Sequence, residues 1–60
     1  MELDYGAVKD LEMALRYAIK YVEEEMIICK ESNDKTQEDV LKNRLERFEF
    51  ILNRLIKDNF

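Results

Sequence analysis

The chain carries few side chains that could perform acid–base or nucleophilic chemistry. Its 60 residues include no histidine, and Cys29 is the one cysteine. Without histidine the usual general base is missing, and so are the Ser/His and Cys/His nucleophile pairs. Cys29 lies near the end of an apolar stretch, where we expect a small buried hydrophobe rather than a reactive thiol, although Lys30 is adjacent. The sequence predicts no catalytic site and a protein that is not an enzyme.

The carboxylates are not spaced to converge on a metal ion. Residues 23–25 are three consecutive glutamates, which on a helix point about 100° apart. Glu46 and Glu49 have the i,i+3 spacing of helical magnesium sites, but the preceding helix offers no matching pair. The polar segment 31–35 lacks the glycine and closing glutamate of an EF-hand. We therefore expect neither a metal nor a cofactor.

The elements that position these residues are predicted to be two helices. The chain has no proline and a single glycine, which leaves few breaks in helix. Asp4 is a suitable N-cap for a helix over about residues 5–30, and Glu12 precedes Arg16 by one turn, as in a stabilising pair. A polar loop follows over about 31–36. Thr36 is the expected cap of a second helix over about 37–58.

The fold class is therefore all-α: a single domain, residues 1–60, forming an antiparallel two-helix hairpin. Helix two carries a heptad seam, and helix one carries an apolar flank to pack against it. The seam consists of Leu41, Leu45, Phe48, Leu52 and Leu55, widened by Val40, Ile51 and Ile56. The flank consists of Val8, Leu11, Leu15, Ile19, Val22 and Met26. Glu25 lies inside the apolar arc and faces either Arg44 or water.

Helix one is apolar over an arc of about 200°, which is twice the stripe needed for one neighbouring helix. A lone hairpin of this size would be marginally stable, and one cysteine excludes an internal disulfide. The pattern predicts a homodimer that forms a four-helix bundle. The predicted dimer interface on helix one is Ala14, Tyr17, Ala18, Tyr21 and Ile28.

A second seam on helix two faces away from the leucines. It consists of Asn43, Arg47, Phe50, Arg54 and Lys57, and its chemical complement on helix one is Asp10, Tyr17, Tyr21 and Glu24. Phe50 flanked by arginines resembles an interface anchor. The sequence leaves open whether this seam closes the homodimer, binds a foreign protein or faces solvent.

Charge and hydropathy narrow the function. The net charge of −4 does not favour general nucleic-acid binding, and no stretch is long and apolar enough for a membrane span. The acidic start, Met-Glu-Leu-Asp, is unlike a secretion signal, so we expect a cytoplasmic protein. The sequence predicts a small non-catalytic protein–protein interaction module. It would act as a regulator, adaptor or inhibitor of an unidentified protein. The alternatives are a DNA-associated regulator using the arginine face of helix two, and a structural self-assembling subunit.

Overall fold

Two α-helices make up the hairpin. The computed structural model describes residues 4–59, in which α1 spans Tyr5–Glu31 and α2 spans Lys35–Asn59. The helices pack against each other in a body of 43 × 15 × 14 Å. The predicted all-α helical hairpin is confirmed, with α2 starting two residues earlier than expected. Residues 1–3 and 60 of the predicted domain lie outside the described residues.

The start of α1 follows the sequence prediction. Asp4 has extended backbone, and its Oδ1 accepts a hydrogen bond from the Ala7 amide at 2.7 Å. A carboxylate here also interacts favourably with the positive end of the helix dipole. One turn later, Glu12 Oε1 lies 3.3 Å from Arg16 Nε, which confirms the predicted i,i+4 pair.

The interhelical turn is three residues long and satisfies the ends of both helices. The Asp34 amide donates to the Cys29 carbonyl at 2.9 Å, and the Asn33 amide donates to the Lys30 carbonyl at 3.3 Å. These bonds form a Schellman motif, with Asn33 in the left-handed region at φ 57°. Asparagine tolerates this conformation better than other residues with a Cβ.

The predicted Thr36 cap is wrong, because Asp34 caps α2. Its Oδ1 accepts from the Gln37 amide at 3.1 Å, and its backbone carbonyl accepts from Glu38. The Schellman motif ends α1 close to the start of α2, and Asp34 is the side chain placed to cap α2. Thr36 therefore lies inside the first turn of α2, and Glu38 is the acidic residue of that turn.

The core is a continuous heptad seam on each helix. Its α1 positions are 8, 12, 15, 19, 22, 26 and 29, and its α2 positions are 38, 41, 45, 48, 52 and 55, all buried or half-buried. The prediction that Leu11 lies in this core is wrong: Leu11 is 44% exposed, and Glu12 occupies the seam. The Glu12 carboxylate stays charge-paired there, 3.8 Å from Lys9 and 3.3 Å from Arg16.

The core of one hairpin is thin. Only five apolar residues among the described ones are buried, namely Val8, Val22, Cys29, Leu41 and Leu52, and none of the described side chains is less than 2% exposed. Isolated scaffolds of this size gain only about 3–5 kcal/mol from such a core. Further burial would add substantially to the stability of the fold.

Candidate interaction surface

The two broad faces of the hairpin differ in character. In an antiparallel pair of helices, the residues that flank the core seam of α1 on one side lie on the same face as the residues that flank the core seam of α2 on the matching side. On one side lie Lys9, Met13, Arg16, Lys20, Glu23, Ile27 and Lys30 of α1 with Lys35, Asp39, Lys42, Glu46, Glu49, Asn53 and Ile56 of α2. We call this the charged face. Met13 and Ile27 are its exposed apolar residues. A cavity lined by Glu23, Met26, Ile27, Lys30, Leu45 and Glu49 crosses both helices there.

The opposite side is the apolar face. Its α1 members are Ala7, Leu11, Ala14, Ala18, Tyr21, Glu25 and Ile28, and its α2 members are Val40, Arg44, Arg47, Ile51, Arg54 and Asp58. On each helix these positions alternate in steps of four and three, which is a second heptad seam. Leu11, Tyr21, Ile28, Val40 and Ile51 are all exposed on it. The hairpin thus presents one face with the pattern of an unpartnered helix interface.

The predicted interface residues fall on this face or at its outer edge. Ala14, Ala18, Tyr21 and Ile28 are members of the apolar face. Tyr17 lies directly opposite the core of α1 and is 66% exposed. Ala18 is already half-buried against the hairpin, whereas Ala14 is exposed.

The residues of the predicted second seam of α2 lie along two different lines of the helix surface. Arg47 and Arg54 belong to the apolar face, while Asn43, Phe50 and Lys57 lie along the outermost line of α2. Phe50 is 67% exposed. A shallow groove runs between Val40, Asn43, Glu46, Arg47, Phe50 and Ile51, so the aromatic ring borders the apolar face. Within one hairpin the Phe50 line and the Tyr17 line point in opposite directions and do not meet.

Charge is distributed unequally across the apolar face. The α1 side carries Glu25, with Asp10 and Glu24 at its outer edge, whereas the α2 side carries Arg44, Arg47 and Arg54, and Asp58, which pairs with Arg54 at 3.6 Å. The ion pairs of residues 4–59 join residues three or four apart on one helix. Glu25 is half-buried, and no ion pair to Arg44 forms within the hairpin. Glu25, Arg44 and Arg47 are therefore available to a second chain.

Cys29 is buried, as the sequence predicted. Burial raises the pKa of its thiol above the usual 9.0, and the nearby carboxylates of Asp34, Glu25 and Glu38 raise it further. Because the thiolate is the nucleophilic form, these surroundings suppress its reactivity.

Sequence reasoning missed part of the apolar face. It assigned Leu11, Val40 and Ile51 to the hairpin core, and it left open whether Glu25 faces Arg44 or water. The signal for the correct assignment is the four–three spacing of residues 7, 11, 14, 18 and 21, which runs parallel to the core seam. Two seams on one helix indicate two helical neighbours.

Within residues 4–59, no group of three or more ligating side chains is arranged to hold a metal ion. Neither described helix has a stretch long and apolar enough to cross a membrane. Comparison with protein families, with curated proteins and with solved structures found no match to this chain.

Proposed function

We propose that this chain is a cytoplasmic, non-catalytic protein–protein interaction module that dimerises into a four-helix bundle and, as a dimer, regulates another protein. The observation that carries the proposal is the contrast between the two faces. One face carries five exposed apolar side chains, Leu11, Tyr21, Ile28, Val40 and Ile51, whereas the opposite face carries two, Met13 and Ile27, among charged residues. Contiguous exposed apolar surface rimmed by polar residues is typical of protein interaction sites.

The energetics of the hairpin support the proposal of a dimer. Five buried apolar residues give a marginal core in the described chain, and the apolar face adds about as many side chains that a neighbour would bury. At roughly 25 cal/mol per Å² of apolar surface removed from water, covering this face is worth several kcal/mol before the cost of association. The proposed neighbour is a second copy of the chain, which carries the same apolar face.

Binding, rather than catalysis, fits the side chains that are present. The Cys29 thiol is buried with a raised pKa, and the chain has no histidine. A free thiol kept in the core also suits a reducing compartment such as the cytoplasm. The groove beside Phe50 and Arg47 combines the residue types enriched at binding hot spots.

A pair of matched isoleucine variants tests the role of the apolar face. Ile51 lies on the apolar face and is 49% exposed, whereas Ile27 lies on the charged side and is 58% exposed. We expect Ile51→Asp to be monomeric and less helical in sedimentation and circular dichroism, and Ile27→Asp to behave as the wild type. Equal behaviour of the two variants would refute the proposal.

To test whether the dimer regulates another protein, that protein must first be identified and purified. Affinity purification from the cells that make this chain should recover a stoichiometric protein, which is then purified and titrated against the dimer. We expect the wild type and Ile27→Asp to bind this protein and Ile51→Asp not to bind it, because the proposal assigns regulation to the dimer. A chain that dimerises but binds no other protein would instead be a self-assembling subunit.

A further inference from the structure

We propose that the second copy docks with its turn at the same end, so that α1 of each copy lies antiparallel on α2 of the other. This inference rests on the proposed dimer and specifies its geometry. It follows from the heights at which side chains lie along the hairpin. Residues equally far from the turn at Asn33 and Asp34 lie at the same height, because both helices rise by about 1.5 Å per residue.

The core is consistent with this correspondence of heights. Val22, Met26 and Cys29 of α1 form one cluster with Leu41, Leu45 and Phe48 of α2. Extending the same register along the helices places Tyr17 level with Phe50, and Asp10 level with Lys57. A two-fold axis parallel to the helices keeps every residue at its own height in the second copy. Each α1 position then meets the α2 position of the other copy at that height.

The members of the apolar face are complementary in this register. Glu25 meets Arg44 of the second copy, which supplies the ion pair that does not form within one hairpin. Tyr21 meets Arg47, a pairing suited to a cation–π contact. The small side chain of Ala18 leaves room for Ile51.

The ends of the interface match in the same way. Ile28 meets Val40 near the turn, where both side chains are exposed in the hairpin. At the other end Ala14 meets Arg54, whose long apolar stem can lie over a small residue. Along α1, the members of the apolar face from Ala14 to Ile28 thus find suitable neighbours. Leu11 lies level with Asp58, whose carboxylate is 3.6 Å from Arg54 on the same helix.

The outer lines flank this contact and are complementary too. Tyr17 lies beside Phe50 of the second copy, so these two outward-facing aromatic side chains cover each other. Asp10 lies beside Lys57, which pairs opposite charges at the far end of the bundle. The Tyr17 line and the Phe50 line, which point in opposite directions within one hairpin, come together between copies.

The alternative dimer, with turns at opposite ends, places α1 on α1 and α2 on α2. This brings the acidic edges together and sets the Arg44–Arg54 stretches of the two α2 helices against each other. Like charges facing one another across an interface are costly. The unequal distribution of charge between the two helices therefore selects the arrangement with turns at the same end.

The size of the face is sufficient for a specific dimer. The hairpin is 43 Å long and 15 Å across. Two such faces in contact bury on the order of 1,300 Å², within the roughly 1,200–2,000 Å² of specific interfaces.

Distances between spin labels test the arrangement. In a Cys29→Ala chain, a label at Glu31→Cys reports on the turn end, and a label at Lys20→Cys reports on the middle of α1; both positions are exposed. Helix axes in a bundle are about 8–10 Å apart, so labels at the same end should lie within about 30 Å of each other. Turns at opposite ends would separate the Glu31→Cys labels by about the 43 Å length of the hairpin.

The mid-helix label serves as the control, since its separation is below about 30 Å in either arrangement. We expect a short distance for both labels. A short distance at position 20 with a long one at position 31 would overturn the same-end arrangement and leave the dimer standing. No measurable coupling at either position would overturn both the arrangement and the proposed dimer.

Discussion

Cys29 illustrates how one residue serves packing at the expense of reactivity. It is buried at the turn end of the core, and the carboxylates of Asp34, Glu25 and Glu38 surround it. Burial comes first and these charges second in raising the pKa of its thiol. The folded chain therefore holds the thiol proton to a higher pH than the unfolded chain does.

This difference predicts a pH dependence of stability. The contribution of Cys29 is fully present below the usual pKa of 9.0 and is lost as the pH rises through the folded-state pKa, because only the unfolded chain readily releases the proton. Urea unfolding between about pH 7 and pH 10 should show a steeper loss for the wild type than for Cys29→Ala. Parallel profiles for the two proteins would contradict this prediction.

Asp34 is the residue on which the turn depends most. Replacing it with alanine leaves the Gln37 amide without its acceptor, so Asp34→Ala should reduce the free energy of unfolding by about 1 kcal/mol. Thr36→Ala is the matched control and should change it by less than about 0.5 kcal/mol. Chemical denaturation measures both. A larger effect at Thr36 than at Asp34 would show that the cap lies where the sequence alone suggested.

Asn33 offers a test with the opposite sign. Its φ of 57° favours glycine, so Asn33→Gly should be neutral or stabilising, whereas Asn33→Ala should cost about 1 kcal/mol. Thermal unfolding of the two variants compares them directly. Equal stability of the two would mean that position 33 does not adopt the left-handed conformation.

At the scale of the elements, α1 carries two largely apolar seams. In α2 the core seam is largely apolar, whereas the second seam mixes apolar and charged residues. Ala18 belongs to the apolar face of α1 and is half-buried, while Arg16 lies on the charged face. A leucine at position 18 would overpack the proposed contact with Ile51 of a second copy, at a cost of about 1–3 kcal/mol. We expect Ala18→Leu to lower the melting temperature well below that of Arg16→Leu. Equal melting temperatures would show that position 18 has no close neighbour.

The bounds of α1 and the leucine seam of α2 follow from the sequence, but the start of α2 and the place of Leu11 do not. Leu41, Leu45 and Leu52 lie where their spacing predicts, and Asp4 caps α1 as expected. Leu11 is predicted in the core because it is apolar, but the four–three spacing of the seam falls on Glu12. Lys9 and Arg16 pair with the Glu12 carboxylate, which lets a charged residue occupy that position.

The turn was misjudged for a related reason. Ser32, Asn33, Asp34 and Thr36 all belong to residue types that favour turns and caps. The choice among them depends on where α1 ends, which the Schellman hydrogen bonds to Cys29 and Lys30 determine. Composition alone carries no information about those bonds.

At the scale of the whole molecule, Phe50→Asp distinguishes the uses of the outer line. If Phe50 covers Tyr17 of a second copy, the new carboxylate enters a contact that excludes water, and dimer affinity should fall by about tenfold or more, since each 1.4 kcal/mol is tenfold. If Phe50 serves only a foreign protein, the variant should remain dimeric and lose that partner. If Phe50 merely faces solvent, neither property should change.

The central claim is that one hairpin is incomplete without a second. Sedimentation equilibrium combined with thermal unfolding over about a hundredfold range of protein concentration tests it most directly. We predict a species of twice the 7.3 kDa chain mass and a melting temperature that rises with concentration, because association stabilises the folded state by mass action. A species of 7.3 kDa throughout, with a melting temperature independent of concentration, would contradict the account.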